Sequence, residues 1–211
     1  MTDKIVYKEM RGYCWGLRHL KSIQHGIQGM HAQNQIFKNH GVDSDEFNVF
    51  KDWATKYETT IMLEVHSSQE VGKMHEYLTF LNEKLKGNKT AQSRIGVNSL
   101  PICIFREPDM DNARTSTFTV LPDTLFNNDE SKGVIRGFLR AVNDGNLDYR
   151  LNAGILENSE TPDDSLDNRY KMWVKAWIKY LNYEHIPYNT AEGMVISWLF
   201  RMLVMKGNLA P

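Results

Sequence analysis

Apolar positions along the chain fall in short clusters separated by polar and glycine-rich breaks. Ile5 and Val6 open a run to about Met10 that predicts a first strand, with Lys4, Lys8 and Arg11 around it. Gly12 to Leu20 reads as irregular. From Ser22, a capping residue type, Ile23, Ile27, Met30 and Asn34 recur at helical spacing and predict a helix that ends near Phe37, before Gly41. Gly26 and Gly29 within it each cost about 1 kcal/mol relative to Ala, which predicts close packing against a strand or a ligand. Thr59 to Val65 predicts a second strand, and Ser67 followed by Glu70 has the spacing of a capping box. Val71, Met74, Leu78, Leu81 and Leu85 then mark an amphipathic helix that Gly87 can end. Pro101 opens a third strand, Ile102 to Phe105, whose unbroken apolar character predicts a central position covered on both faces. Thr115 to Leu121 alternates and predicts a fourth.

Strand, helix, strand, helix, strand, strand is the order of an α/β domain. The expectation for residues 1–128 is three layers, with a mixed four-stranded sheet and flanking helices. From residue 129 the pattern turns helical and predicts an extension over 129–211. Val134, Ile135, Phe138, Leu139 and Val142 mark one helix, and Asp144 to Asp167 reads as a long acidic loop. Met172, Trp173, Ala176, Trp177, Tyr180 and Leu181 mark a second helix, and Met194 to Met205 a third. That last apolar run contains Ser197 and Arg201 and is short of the roughly 20 residues that span a bilayer. No membrane association is expected. The first ten residues lack the apolar core of a secretory signal, so the chain is expected to begin as mature protein.

Charge narrows the class of partner. Twenty-five Lys and Arg face 26 Asp and Glu, a formal net charge of -1, so no global basic field holds nucleic acid non-specifically. Any polyanion must meet a local patch, and residues 1–40 are net basic. Two cysteines, Cys14 and Cys103, are too few for a disulfide framework or a thiolate metal site, which fits a reducing compartment. No metal site is expected.

Two segments carry chemistry. Gln24, Gln28, His31 and Gln35 fall at i, i+4, i+7 and i+11, one above another on the first helix. Amides donate and accept without the desolvation cost of a charge, so this stripe can position a polar substrate or simply face solvent. The second is Phe105 to Thr115, which packs Arg106, Glu107, Asp109, Asp111 and Arg114 directly after the third strand. Ligands of open α/β sheets gather at strand carboxyl ends. The segment is an acid/base site or a salt-bridged loop.

Read together, these segments resemble the type 2 peptidyl-tRNA hydrolase family, over roughly residues 4–122. Gln28, His31 and Ala32 fill the Gln-x-x-His-Ala ending of that family's first helix, and Asp111-Asn112-Ala113-Arg114-Thr115 is similar to its Asp-Ala-Gly-Arg-Thr signature. Thr119-Val120-Leu121 follows where the family has Thr-Val-Leu, and Ser68 and Glu70 sit at the acidic start of its second helix. The chain departs from the pattern twice. Gln24 stands where the family has a lysine, and Ala113, preceded by Asn112, replaces the glycine of the signature. Lys21, one turn earlier, is a substitute for the missing charge.

The resemblance implies hydrolysis of the ester that joins a peptide to tRNA, in the cytoplasm, without metal or organic cofactor. It implies catalytic roles for Asp111, which would orient or deprotonate the water, for Thr115 and Gln28, which would position the water or the carbonyl, and for His31. Substrate-binding candidates are Gln24, Lys21, Arg18, Arg11, Lys8 and Arg114, with tRNA as the partner. The divergent motif and appended helices suit a phage protein. The competing reading is an inactive relative of the same fold that holds tRNA, a nucleotide or a protein. A third makes the helical extension an interaction module, with Trp173 and Trp177 exposed as anchors.

Overall fold

The computed structural model describes residues 9–127, 137, 140, 165–181, 188–205 and 208–209. Five strands form one sheet: β1 (Met10–Leu17), β2 (Thr60–Val65), β3 (Ile102–Glu107), β4 (Ala113–Pro122) and β5 (Asn208–Leu209), in the order β3-β4-β1-β2-β5. β1 and β2 are parallel, while β1–β4, β3–β4 and β2–β5 are antiparallel, so the sheet is mixed as expected. The two-residue β5 adds an edge strand to the four predicted, and it comes from the region read as helical.

The strand expected over Ile5 to Met10 lies instead at Met10–Leu17, across residues read as irregular, and occupies the middle of the sheet. Ile5 to Lys8 lie outside the described residues. Gly12 and Gly16 disguised the strand, and both are there because neighbours press on it. A β-carbon at Gly12 would lie 2.8 Å from the Phe118 ring, and one at Gly16 would lie 3.0 Å from Nδ1 of His25.

Helices cover both faces. On the face carrying Cys14, Met62, Cys103 and Phe118 lie α1 (Ser22–Asn39) and α2 (Asp45–Lys56); on the other lies α3 (Ser68–Gly87). α2 was not predicted, although Ser44 caps it by accepting from Phe47 N at 3.1 Å, and Val49, Phe50 and Trp53 form its buried stripe. The short α4 (Lys89–Ile95), also unpredicted, is capped by Asn88, whose Oδ1 accepts from Ala91 N at 2.9 Å. The predicted apolar stripe of α3 is buried as expected. Ser67 caps α3, accepting from Glu70 N at 3.2 Å, but Glu70 reaches back to His66 N rather than to Ser67.

Two readings of position are corrected. β3 is an edge strand, not a central one; its apolar run reflects cover by α1 on one face and α3 on the other, not neighbours on both sides. The apolar face that marked α1 is also not the face it buries: Ile23, Ile27 and Met30 are exposed, and the helix buries His25, Gly29, Ala32 and Ile36. Close packing was expected at both Gly26 and Gly29. Gly29 meets Met62 and Cys14, and Gly26 faces open space.

A short helix α5 (Thr124–Asn127) follows β4, and the C-terminal part contributes α6 (Leu166–Tyr180) and α7 (Tyr188–Met205). α7 packs on α3, α4 and α5, and α6 packs on α7, so their apolar side chains continue the core under α3. Trp173 and Trp177 are buried there against Trp198, which removes them as exposed anchors. The expected helix over Val134 to Val142 and the loop from Asp144 lie largely outside the described residues. Among the described residues no helix is long and apolar enough to cross a membrane.

Candidate functional site

The site forms where β1 ends, β3 runs into a tight turn and β4 begins. Phe105 pairs with Ser116 and Arg106 with Arg114, so Thr115 is an extra residue in β4 with no opposite number on β3. Such a bulge re-aims a side chain. In an unbroken strand Thr115 would share a face with Thr117, against α3. The bulge turns it to the α1 face, alongside Ser116.

Both hydroxyls there meet one residue of α1. Thr115 Oγ1 donates to Gln28 Oε1 at 2.6 Å, and Ser116 Oγ donates to the Gln28 backbone carbonyl at 2.8 Å. Gln28 Nε2 donates to Glu107 Oε2 at 2.7 Å. The carboxylate accepts and the hydroxyl donates, so the amide has one sensible orientation. Thr115 is fully buried, whereas Gln28 and Glu107 are half-buried at the surface. Glu107 stands in the segment read as an acid/base site or a salt-bridged loop, but it was given no role of its own. Its position at the end of β3, cross-strand from Ala113, is visible only once the register is known.

Asp111 lies on the turn between Glu107 and Ala113, exposed, with φ 53°, and Asn112 follows at φ 56°. Asp and Asn enter this left-handed region more readily than other non-glycine residues. The turn therefore closes without the glycine of the resembled signature. His31, one turn beyond Gln28, is exposed and lies over Phe105 with ring centroids 4.6 Å apart. The structure thus gathers Gln28, Thr115 and His31 on one face, with Asp111 on the adjoining turn.

The other predicted residues divide. Gln24 is exposed and its Oε1 accepts from Lys21 N at 3.0 Å, which makes it part of the helix start. Lys21, not Ser22, occupies the N-cap position. Arg18 follows β1 at the same end of the sheet, 3.9 Å from Glu64. Arg114 lies on the opposite face of β4 from Thr115, over Gly72 of α3, with its backbone N donating to Ser68 Oγ at 2.8 Å. Arg11 is apart from all of these: it sits near the start of β1, five residues or roughly 17 Å from Gly16 at strand rise, and its guanidinium pairs with Glu9 at 2.6 Å. Lys8 lies outside the described residues.

Neither cysteine belongs to the site. Burial pushes both the Cys14 and Cys103 thiols up to about 12, so neither supplies a thiolate at neutral pH. Among the described residues no three His, Cys, Asp or Glu side chains are grouped to hold a metal ion. What the arrangement offers is a carboxylate on the solvent-facing turn that leads into β4 and, between β4 and α1, a buried hydroxyl and an amide held by hydrogen bonds. Compared with known proteins, the chain matches no family model and no curated protein.

Proposed function

We propose that the protein hydrolyses the ester of peptidyl-tRNA, releasing free tRNA and peptide. The observation that carries this reading is the hydrogen bond from Thr115 to Gln28. Each belongs to a different one of the two motifs that resemble the hydrolase family, and the fold joins them directly. In this account Asp111, open to solvent, orients a water and takes its proton as that water attacks the ester carbonyl, then returns the proton to the ribose 3′ oxygen as the ester C–O bond breaks. Thr115 gives its own proton to Gln28, and Gln28 is locked by Glu107, so both groups are positioned before substrate arrives. Lys21 and Arg18, at the same end of the sheet, meet the phosphates of tRNA. The setting is the cytoplasm.

A second reading, a tRNA-, nucleotide- or protein-binding module without turnover, draws support from Gln24. Its amide is committed to the start of α1 and carries no charge, so it does not replace the lysine of the resembled family. Incubating the full chain with a defined peptidyl-tRNA separates the two. Release of peptide supports the hydrolase, and saturable binding without release supports the module.

A further inference from the structure

Arg106 and Arg114 are directly opposite one another on β3 and β4. Cross-strand partners project from the same face, here the one covered by α3. Like charges so placed repel, and a pair of this kind needs a counter-charge. The described residues supply little of one. Arg114 has Glu76 Oε1 at 4.0 Å, an exposed carboxylate at the limit of an ion pair, and among the described residues Arg106 has no carboxylate partner. Glu107, the nearest carboxylate along the chain, points to the other face and is engaged by Gln28.

The floor under Arg114 is shaped for it. A β-carbon on Gly72 would overlap Arg114 Nη1 and come within 2.8 Å of its Cδ, so the absence of a side chain is what lets the guanidinium lie against α3. His75, one turn further along α3, is half-buried beside the pair. Thr117 gives its single proton to Cys103 O at 2.8 Å, so in its 3.4 Å contact with Thr117 Oγ1 the ring donates through Nδ1. Nε2 is then the unprotonated nitrogen. Burial holds the imidazole below its usual value; Glu76 on its own helix pulls the other way, and Arg106 on β3 and Arg114 on β4 add to the lowering.

We infer that Arg106 and Arg114 form a site for a phosphoryl group, seated between the two guanidinium forks at the β3–β4 edge. Arginine matches this ligand because its planar donors bind tetrahedral oxyanions in pairs. A bound dianion would also offset the repulsion between the two guanidinium groups. The site lies on the opposite face of β4 from Thr115, so it stands without the hydrolase reading: phosphate binding in a protein that cleaves no ester would refute that reading and leave this one.

The test uses the full chain with two probes, inorganic phosphate and a short oligoribonucleotide lacking terminal phosphates, read by calorimetry and by the His75 ring resonances. Wild-type protein should bind at least one, with the His75 titration moving to higher pH on binding. Arg106→Gln, at an exposed position, should weaken binding at least tenfold and raise the unliganded thermal midpoint, because it removes the repulsion. Lys51→Gln, on α2 across the sheet, should leave binding unchanged. Phosphate bound more tightly than the oligonucleotide assigns the site to free phosphates or monoesters. The reverse order, with affinity falling steeply with salt, assigns it to nucleic-acid phosphodiesters; both support the site. Neither probe binding at millimolar concentration, or binding that Arg106→Gln leaves intact, overturns it.

Discussion

Gln28 and Thr115, separated by 87 residues, share a 2.6 Å hydrogen bond, and Glu107 holds the other end of the same amide at 2.7 Å. A neutral amide is required between a hydroxyl that donates and a carboxylate that accepts. Gln28→Glu should therefore bring two carboxyls together. Both cannot ionise at that distance, so one is protonated in the folded protein at a pH where it is ionised in the unfolded chain. Its folded pKa is raised above about 4.3, so the stability deficit is absent below that pH and grows as pH rises toward the folded value. Thermal unfolding should match wild type near about pH 4 and fall clearly below it at neutral pH, while an equal deficit at both would contradict this geometry.

Gln24→Lys restores the charge of the resembled family at the expense of the bond to Lys21 N. Losing a helix-start contact of this kind costs about 1 kcal/mol, which chemical denaturation can measure. If the hydrolase reading holds, the same variant should release peptide faster than wild type. A variant of lower stability with no gain in turnover would show that Gln24 is not where a cation is needed.

A methyl on Gly193 of α7 would lie 2.8 Å from the backbone N of Ala91 and 2.9 Å from Thr90. The backbone cannot swing aside, so α7 must lift from α4. Overpacking of this kind costs about 1–3 kcal/mol, against about 1 kcal/mol gained in helix propensity. Gly193→Ala should thus lower the urea midpoint despite favouring the helix. An unchanged or higher midpoint would mean that α7 does not rest on α4 as described.

Asp167, in the first turn of α6, pairs with Lys171 at 2.6 Å and with Lys84 of α3 at 2.9 Å, and these two lysines hold its carboxyl at about 2. The folded value is below the unfolded one, so the pair stabilises above about pH 4 and the contribution disappears as pH falls toward 2. Its carboxylate is 41% exposed, and solvent screening keeps such a pair below about 1 kcal/mol. Asp167→Asn should cost a few tenths of that at neutral pH and nothing in strong acid, as pH-dependent denaturation can show.

Periodicity located β2, β3, the core stripe of α3 and the helical C-terminal run, because in each the buried positions are mostly apolar; β4 was found through Phe118, Val120 and Leu121 although Thr115, Ser116, Thr117 and Thr119 are buried beside them. Periodicity failed where burial and polarity part company. The inward face of α1 carries His25, Gly29 and Ala32, which look like surface or neutral positions, while its outward face carries Ile23, Ile27 and Met30. β1 was hidden by glycines whose purpose is to admit Phe118 and His25. α2 did announce itself, since Ser44 before Asp45 and Glu46 is a start signal for a buried Val49-Phe50-Trp53 stripe. Gln28 and Thr115 were legible as a pair only through their motifs. That they face each other depends on the bulge at Thr115, a register feature, and Glu107 enters by the same register.

If Asp111 is the base, single-turnover release of peptide from a defined peptidyl-tRNA depends on it. An asparagine keeps the shape of the side chain and tolerates φ 53°, so Asp111→Asn should fold and unfold like wild type. It cannot accept a proton, and losing general acid/base assistance costs roughly 10²–10⁴-fold in rate. Wild type should release peptide, and the variant should show a loss of that size at unchanged thermal midpoint. Wild-type protein that binds the substrate and releases nothing above background, or a variant as fast as wild type, would contradict this role for Asp111.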